Sequence, residues 1–304
     1  MTIPVFMELV EMKAKIASVL PCLIGVCFSW YYYGSIHWYL TIGFFIAMFL
    51  FNMFVDIWDN YNDYQHADND VYQQHTNIIG REHLSLRTIR SLLIIFFIVA
   101  MVIGLALVWV VGWPMLAMGV FCFAVGLAYS AGPRPLSSLP LGELFSGFTM
   151  GFMITLICVY LNTYQMFTWD IATLTKIFLI ALPNTLWISN LMLANNLCDK
   201  EEDESNHRYT IVNYIGIKGG LYAFASANVL ALVAVVCQAM LGLAPYSVLL
   251  TLLLIPFIYH QTRLLWQRQV KRETFICAVR ILAVSSVVHA ATYCAGIIIN
   301  NWLE

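Results

Sequence analysis

Apolar residues in this chain come in long blocks, not in the alternation of a strand or the one-sided stripe of a soluble helix. The blocks fall near 14–34, 39–60, 87–111, 114–131, 142–166, 173–197, 216–241, 245–265 and 275–300. An α-helix needs ~20 mostly apolar residues to cross the hydrocarbon layer of a bilayer. The pattern therefore predicts nine membrane-spanning helices. Pro21, Gly25, Gly104, Gly147, Gly151 and Pro256 lie inside the blocks. They would weaken soluble helices, but in a bundle neighbouring helices satisfy the freed backbone groups. Glu8 and Glu11 precede the first block and no A-x-A site follows it. It is expected to be a retained span, not a cleaved signal.

Composition supports this reading. The 304 residues are 61% hydrophobic and only 11% charged, with a mean hydropathy of +0.77; soluble domains carry roughly 25% charge. A disordered chain, a disulfide scaffold and a soluble globular domain are excluded. The net charge is −2 and no basic face is visible, so no nucleic-acid partner is expected. The eight cysteines include no C-x-x-C pair and mostly sit in apolar runs, which reads as packing, without disulfides or zinc. His66, His75 and His83 share the loop after the second block; their spacing is too loose for a zinc site, and they are expected to face solvent. Tyr31, Tyr32, Tyr33, Trp38 and Tyr39 read as an interfacial aromatic belt.

Basic residues set an orientation. Lys13 and Lys15 precede span 1, and Arg81, Arg87 and Arg90 separate spans 2 and 3. Arg134 follows span 4, and Lys200, Arg208 and Lys218 lie between spans 6 and 7. Arg263, Arg268, Lys271 and Arg272 lie between spans 8 and 9, whereas the opposite loops hold Lys176 alone. With nine spans, the basic loops share the side of the N-terminus, which is expected to be cytoplasmic.

Charge is concentrated where chemistry would need it. Ten of the 17 acidic residues form two segments: Asp56, Asp59, Asp63, Asp68 and Asp70, then Asp199, Glu201, Glu202, Asp203 and Glu204. Each begins where a long apolar block ends, and ionisable groups at a membrane edge are costly unless paired or bound to a cation. Asp59 and Asp63 are four apart, as are Asp199 and Asp203, with the same 140-residue offset between pairs. On a helix, positions four apart share a face, so each pair can coordinate a cation. Paired carboxylates suit Mg²⁺, which fills its other positions with water and phosphate oxygens. The offset also suggests an internal duplication, near 14–135 and 142–265, with a ninth helix at 275–300, in one polytopic domain over 1–304.

Asn195-Asn196-Leu197-Cys198-Asp199-Lys200-Glu201-Glu202-Asp203 resembles N-x-x-x-D-x-x-x-D, the second aspartate motif of the UbiA superfamily of intramembrane prenyltransferases. Val55-Asp56-Ile57-Trp58-Asp59-Asn60-Tyr61-Asn62-Asp63 resembles its first motif, N-D-x-x-D-x-x-x-D. All three aspartates match, but Val55 stands in place of the leading Asn, whose role could fall to Asn52, Asn60 or Asn62. Asn77-Ile78-Ile79-Gly80-Arg81-Glu82 and Gly132-Pro133-Arg134-Pro135-Leu136 resemble the 1,4-dihydroxy-2-naphthoate polyprenyltransferase branch, which serves menaquinone biosynthesis.

The resemblance implies an all-α integral membrane fold, two four-helix groups plus a ninth helix around a central cavity, in a bacterial inner membrane with the active-site loops cytoplasmic. It implies transfer of a polyprenyl chain from its diphosphate to an aromatic acceptor. Asp56, Asp59, Asp63, Asp199 and Asp203 would hold Mg²⁺, with Asp59, Asp63, Asp199 and Asp203 catalytic. Arg81, Arg134, Lys200 and Arg208 would bind diphosphate, since cationic side chains pair well with phosphate; the other reading is that they only anchor topology. Asn195 and Asn60 would contact substrate. The partners are then polyprenyl diphosphate, 1,4-dihydroxy-2-naphthoate and the lipid bilayer. Other acceptors (4-hydroxybenzoate, homogentisate or haem B) and a cation transporter remain as alternatives.

Overall fold

The computed structural model describes residues 1–65, 72–132, 134–205 and 208–303. His66, Asp68, Asp70 and Pro133 lie outside the described residues. Among those described, every regular element is helical, and nine helical stretches are long and apolar enough to cross a membrane. They are Met12–Tyr33, Trp38–Gln65, Leu86–Val111, Trp113–Ser130, Gly142–Thr163, Ile171–Cys198, Ile211–Met240, Tyr246–Gln267 and Phe275–Asn300. Numbered in chain order, the main helices are α1 (Ile3–Leu9), α2 (Ile16–Tyr33), α3 (Trp38–Gln65), α4 (Ile78–Arg81), α5 (Leu86–Val111) and α6 (Trp113–Ser130). They continue as α7 (Gly142–Gly147), α8 (Ile154–Thr163), α9 (Ile171–Cys198), α10 (Lys200–Ser205), α11 (Ile211–Met240), α12 (Ile255–Gln267) and α13 (Phe275–Leu303).

The expected spans are all present, with informative differences at their ends. Hydropathy starts the seventh at 216, whereas α11 begins at Ile211 and breaks at Gly216, whose φ of 72° lies in the left-handed region. Glycine takes that conformation without a Cβ penalty. The second span continues to Gln65, carrying Asp56, Asp59 and Asp63 as helix.

The chain divides into two compact units, Met1–Ser18 with Ile42–Pro135, and Val19–Thr41 with Leu136–Glu304. In the first unit, Leu9, Val10, Met53, Phe54, Ile57, Ile78, Ile79, Ile89 and Leu93 form a buried apolar cluster. The Phe51 and Phe123 rings stack 3.9 Å apart. α6 approaches α3 so closely that a Cβ on Gly126 would meet the Phe51 ring at 2.8 Å. The outward face is apolar too: Trp109 and Trp113 are largely exposed, as expected where the solvent is lipid.

The second unit buries many polar groups, several of them in hydrogen-bonded pairs. α8 is buried along its whole length, and Asn162 Oδ1 accepts from His37 N at 2.7 Å and Thr41 Oγ1 at 3.0 Å. Pro183 lies inside α9, so the Leu179 carbonyl loses its helical donor. Gln238 Nε2 supplies one at 2.8 Å, and Gln238 Oε1 lies 3.1 Å from His289 Nε2. Gly151 packs against α9, where a Cβ would stand 2.5 Å from Thr185 Cα. The cysteines are free thiols, with Cys27 and Cys294 in Sγ contact at 3.3 Å.

Candidate active site

Asp56, Asp59 and Asp63 of the first acidic segment lie on one continuous helix. On a 3.6-residue repeat, Asn52, Asp56, Asp59 and Asp63 of α3 fall within an arc of about 60°. Lys15 closes the turn Met12–Lys15 that leads into α2. Its Nζ donates to both Asn52 Oδ1 and Asp56 Oδ2, and the lysine is buried. Asp59 is half-buried and Asp63 is exposed in the last turn.

This arrangement selects among the three asparagines. Asn60 Nδ2 donates to Asp56 O at 3.0 Å, and Asn62 Nδ2 to Trp58 O at 2.9 Å. Both amides cap their own helix turn. Asn52 alone of the three shares a cation with Asp56. It sits four residues before that aspartate, one turn up the same face.

The segment after α3 is tied back to it. Asn77 caps α4 by accepting from Ile79 N at 2.9 Å, and its Nδ2 donates to Asn60 O at 2.9 Å. Gly80 leaves no room for a side chain, since a Cβ would stand 1.9 Å from Gln73 O. Arg81 pairs with Glu8 at 2.7 Å and Glu82 at 3.2 Å. These carboxylates hold its guanidinium above its usual range. Arg134, His75 and His83 are exposed.

The second segment straddles a helix end. α9 stops at Cys198, and Asp199 caps it with φ −102° and ψ 8°. Asp203 N still donates to Asp199 O at 2.8 Å, so one turn connects the two acids. Lys271 Nζ donates to Asn195 Oδ1 and Asp199 Oδ2. Asp203 is buried and Arg208 Nε lies 3.4 Å from its Oδ1. Burial pushes its carboxyl up to about 6, with Asp199 adding to the shift and Arg208 opposing it. Its Oδ2 is buried with no hydrogen-bond partner among the described residues. Glu201 and Glu202 are exposed, and Lys200 pairs with Glu204 at 2.7 Å.

A further acid supports this helix end. Glu143, at the start of α7, is buried and accepts from Asn196 Nδ2 at 2.7 Å. Its carbonyl accepts from Ser189 Oγ at 3.0 Å. The next residue along from Asn195 is thereby fixed, which orients the last turn of α9.

Sequence reasoning left Asn52 as one of three candidates and missed both lysines in this role, and Glu143. One signal was present: Asn-x-x-x-Asp occurs at Asn52–Asp56 and again at Asn195–Asp199.

The donors fit a hard divalent cation. Each segment already holds an ammonium between an amide oxygen and a carboxylate oxygen, so both pairs are cation sites in geometry and charge. Asp203 Oδ2 adds a buried, unsatisfied oxygen. Among the described residues, no three Asp, Glu, His or Cys side chains converge on one point. Mg²⁺ commonly takes only one or two protein carboxylates and completes its octahedron with water and phosphate oxygens.

Comparison with known proteins points the same way. Residues 18–303 match the UbiA prenyltransferase family. The chain is 27% identical, over 79% of its length and 75% of the relative's, to the 1,4-dihydroxy-2-naphthoate octaprenyltransferase of Bacillus subtilis (strain 168). Among solved structures, an apo UbiA homologue from Aeropyrum pernix K1 superposes with a TM-score of 0.71 at 16% identity, covering 96% of this chain and 98% of that one. A UbiA homologue from Archaeoglobus fulgidus bound to GPP and Mg²⁺ gives 0.62 at 11% identity, covering 96% and 99%.

Proposed function

Because the chain belongs to the UbiA prenyltransferase family, we propose that this membrane enzyme transfers a polyprenyl chain from its diphosphate to 1,4-dihydroxy-2-naphthoate. Diphosphate and CO₂ leave, and demethylmenaquinol is the product. The Bacillus subtilis naphthoate octaprenyltransferase supports the acceptor, and the homologue bound to GPP and Mg²⁺ supports the donor and the metal. The observation that carries the reading is the recurrence of one cation-holding pair, Asn52–Asp56 and Asn195–Asp199. A transporter has no such support.

Asp56, Asp59, Asp63, Asp199 and Asp203 are the proposed Mg²⁺ ligands. When bound, Mg²⁺ neutralises charge on the departing diphosphate. Arg134, exposed, and Arg208, half-buried beside Asp203, are the proposed partners of phosphate oxygens. Arg81 and Lys200 reach them by giving up exposed carboxylate partners, pairs worth only about 0–1 kcal/mol. Asn195 and Asn60 are the proposed substrate contacts. The allylic C–O bond breaks with its electrons going to diphosphate, the electron-rich ring attacks the carbon released, and the ring–carboxylate bond then breaks, CO₂ leaving and its electron pair restoring the aromatic ring. The apolar spans keep water from that carbon.

The proposed location is a bacterial inner membrane, and the Lys and Arg distribution supports an orientation with the N-terminus and the segments after α3 and α9 in the cytoplasm. A single cysteine placed at Glu202 is then labelled only from that side; labelling from outside overturns the orientation. The reaction is tested by incubating the purified protein with Mg²⁺, a polyprenyl diphosphate and a panel of aromatic acids. The expected product has the mass of the decarboxylated, prenylated naphthalenediol. Prenylation of another acid alone reassigns the acceptor, and no product from any of them overturns the proposal.

A further inference from the structure

Lys271 has no role in the proposed reaction. It lies in the turn between α12 and α13, and Thr274 staples that turn. Its hydroxyl accepts from Val270 N at 3.0 Å and donates to Val270 O at 3.2 Å. Thr274 N donates to the same carbonyl at 2.8 Å. The backbone at the base of the lysine is thus held, while its side chain is 44% exposed. Among the described residues, besides Asn195 and Asp199, the ammonium lies 5.0 Å from the Phe275 ring and is attracted by the nearby Asp203 carboxylate.

The oxygens it bridges include the Asp199 carboxylate, a proposed Mg²⁺ ligand. An ammonium and a divalent cation repel, and both cannot occupy one Asn/Asp pair. Metal arriving at Asp199 must displace Lys271. A compact ammonium on a flexible stem, with three donors, then takes the nearest new anion. A diphosphate that accompanies the metal supplies one, through short charge-assisted hydrogen bonds.

We propose that Lys271 is an exchangeable counter-ion, neutralising Asp199 before metal binds and passing to the diphosphate once metal displaces it. This rests on the metal reading of Asp199. The exchange predicts two effects of opposite sign when the ammonium is removed. Metal alone binds more tightly, because its competitor is gone. Diphosphate binds more weakly, because a donor is gone. A lysine that only steadied the turn would move both affinities the same way or neither.

The experiment uses the full chain in detergent, with Mn²⁺ binding read by electron paramagnetic resonance and inorganic diphosphate binding read by calorimetry at saturating Mg²⁺. Wild type, Lys271→Met, Lys271→Arg and Asp199→Asn are compared. Lys271→Met is expected to bind Mn²⁺ several-fold tighter and diphosphate about tenfold weaker, the scale of one hydrogen bond to a charged group. Lys271→Arg, which keeps the charge, is expected to stay near wild type on both. A Lys271→Met protein that changes in only one affinity, in neither, or in both in the same direction overturns the exchange. If wild type binds no Mn²⁺, or Asp199→Asn binds it equally well, the metal reading fails and the exchange with it. Loss of Mn²⁺ in Asp199→Asn beside an unchanged Lys271→Met overturns the exchange alone.

Discussion

Asn52–Asp56 on α3 and Asn195–Asp199 at the end of α9 are the same four-residue pair, each gripping one lysine, and almost everything around them differs. The Lys15 side chain is 4% exposed and that of Lys271 is 44% exposed. α3 runs on to Gln65, so Asp59 and Asp63 continue the face that Asp56 begins. α9 ends at Cys198, so Asp203 comes from the separate helix α10 and is buried. The first segment buries its cation and the second buries an acid. Spacing decides which oxygens can share a cation, and burial decides which partner is able to leave. On that logic Lys15 is the fixed counter-ion, displaced from Asp56 by metal only at a cost, and Lys271 the mobile one.

The largest expected effect tests whether the two segments are equivalent in function. Asp59→Asn and Asp199→Asn each keep shape and remove charge. Each is expected to lower turnover by at least the ~10²–10³ typical of one lost transition-state electrostatic contact. Glu201→Gln, at an exposed position beside the second pair, is expected to change the rate less than about twofold, as a solvated charge contributes little. Rates on purified, folded protein decide it. A near-normal rate for Asp199→Asn would leave catalysis to the first segment and break the equivalence.

Next in size is the contrast between the lysines. Lys15→Met leaves Asp56 beside apolar helix surface without its cation, and breaking a buried pair on one side costs about 3–5 kcal/mol. Lys271→Met strips a pair whose lysine is 44% exposed, so solvent takes over part of the lost interaction and the cost is smaller. Thermal unfolding in detergent should therefore separate the two variants clearly. Adding Asp56→Asn to Lys15→Met should recover part of the loss, because it removes the stranded charge. Equal melting temperatures for the two lysine variants would erase the distinction between fixed and mobile counter-ions.

How far the sequence reveals all this depends on which interactions are local. The spans were legible because ~20 consecutive apolar residues are a local property. So was the i, i+4 spacing within each acidic segment. The break at Asp199 was not, since a run such as Lys200-Glu201-Glu202 is compatible with continuing helix and the cap is set by contacts outside that run. Lys15 and Lys271 escaped notice for a different reason. Their partners lie 41 and 72 residues away from them, and basic residues near span ends already had a sufficient explanation in topology. Glu143 offered no pattern at all; only its hydrogen bond to Asn196 marks it.

The smallest expected effect sharpens the comparison on the acid side and turns on pH. The Asp203 carboxyl is raised from 3.8 to about 6, chiefly by burial. The folded state thus binds a proton at Asp203 more tightly than the unfolded chain does. The stability that this proton contributes is full below pH 3.8 and lost as pH rises through about 6. At neutral pH the buried carboxylate is a burden on the fold that attraction to Arg208 and Lys271 only partly offsets. Asp203→Asn removes the charge and leaves Arg208 to solvent, so at pH 7.5 it should melt a few degrees above wild type, although it turns over poorly. The gain should shrink as pH falls and vanish near pH 4, where wild-type Asp203 is protonated in the fold. Asp63→Asn, at an exposed position of the first segment, should show little difference anywhere in that range. Melting curves of the three proteins from pH 4 to pH 8 make the test. An Asp203→Asn protein that melts below wild type at pH 7.5 would mean that the charged acid stabilises its surroundings, and the second segment would then not be the one that buries a strained carboxylate.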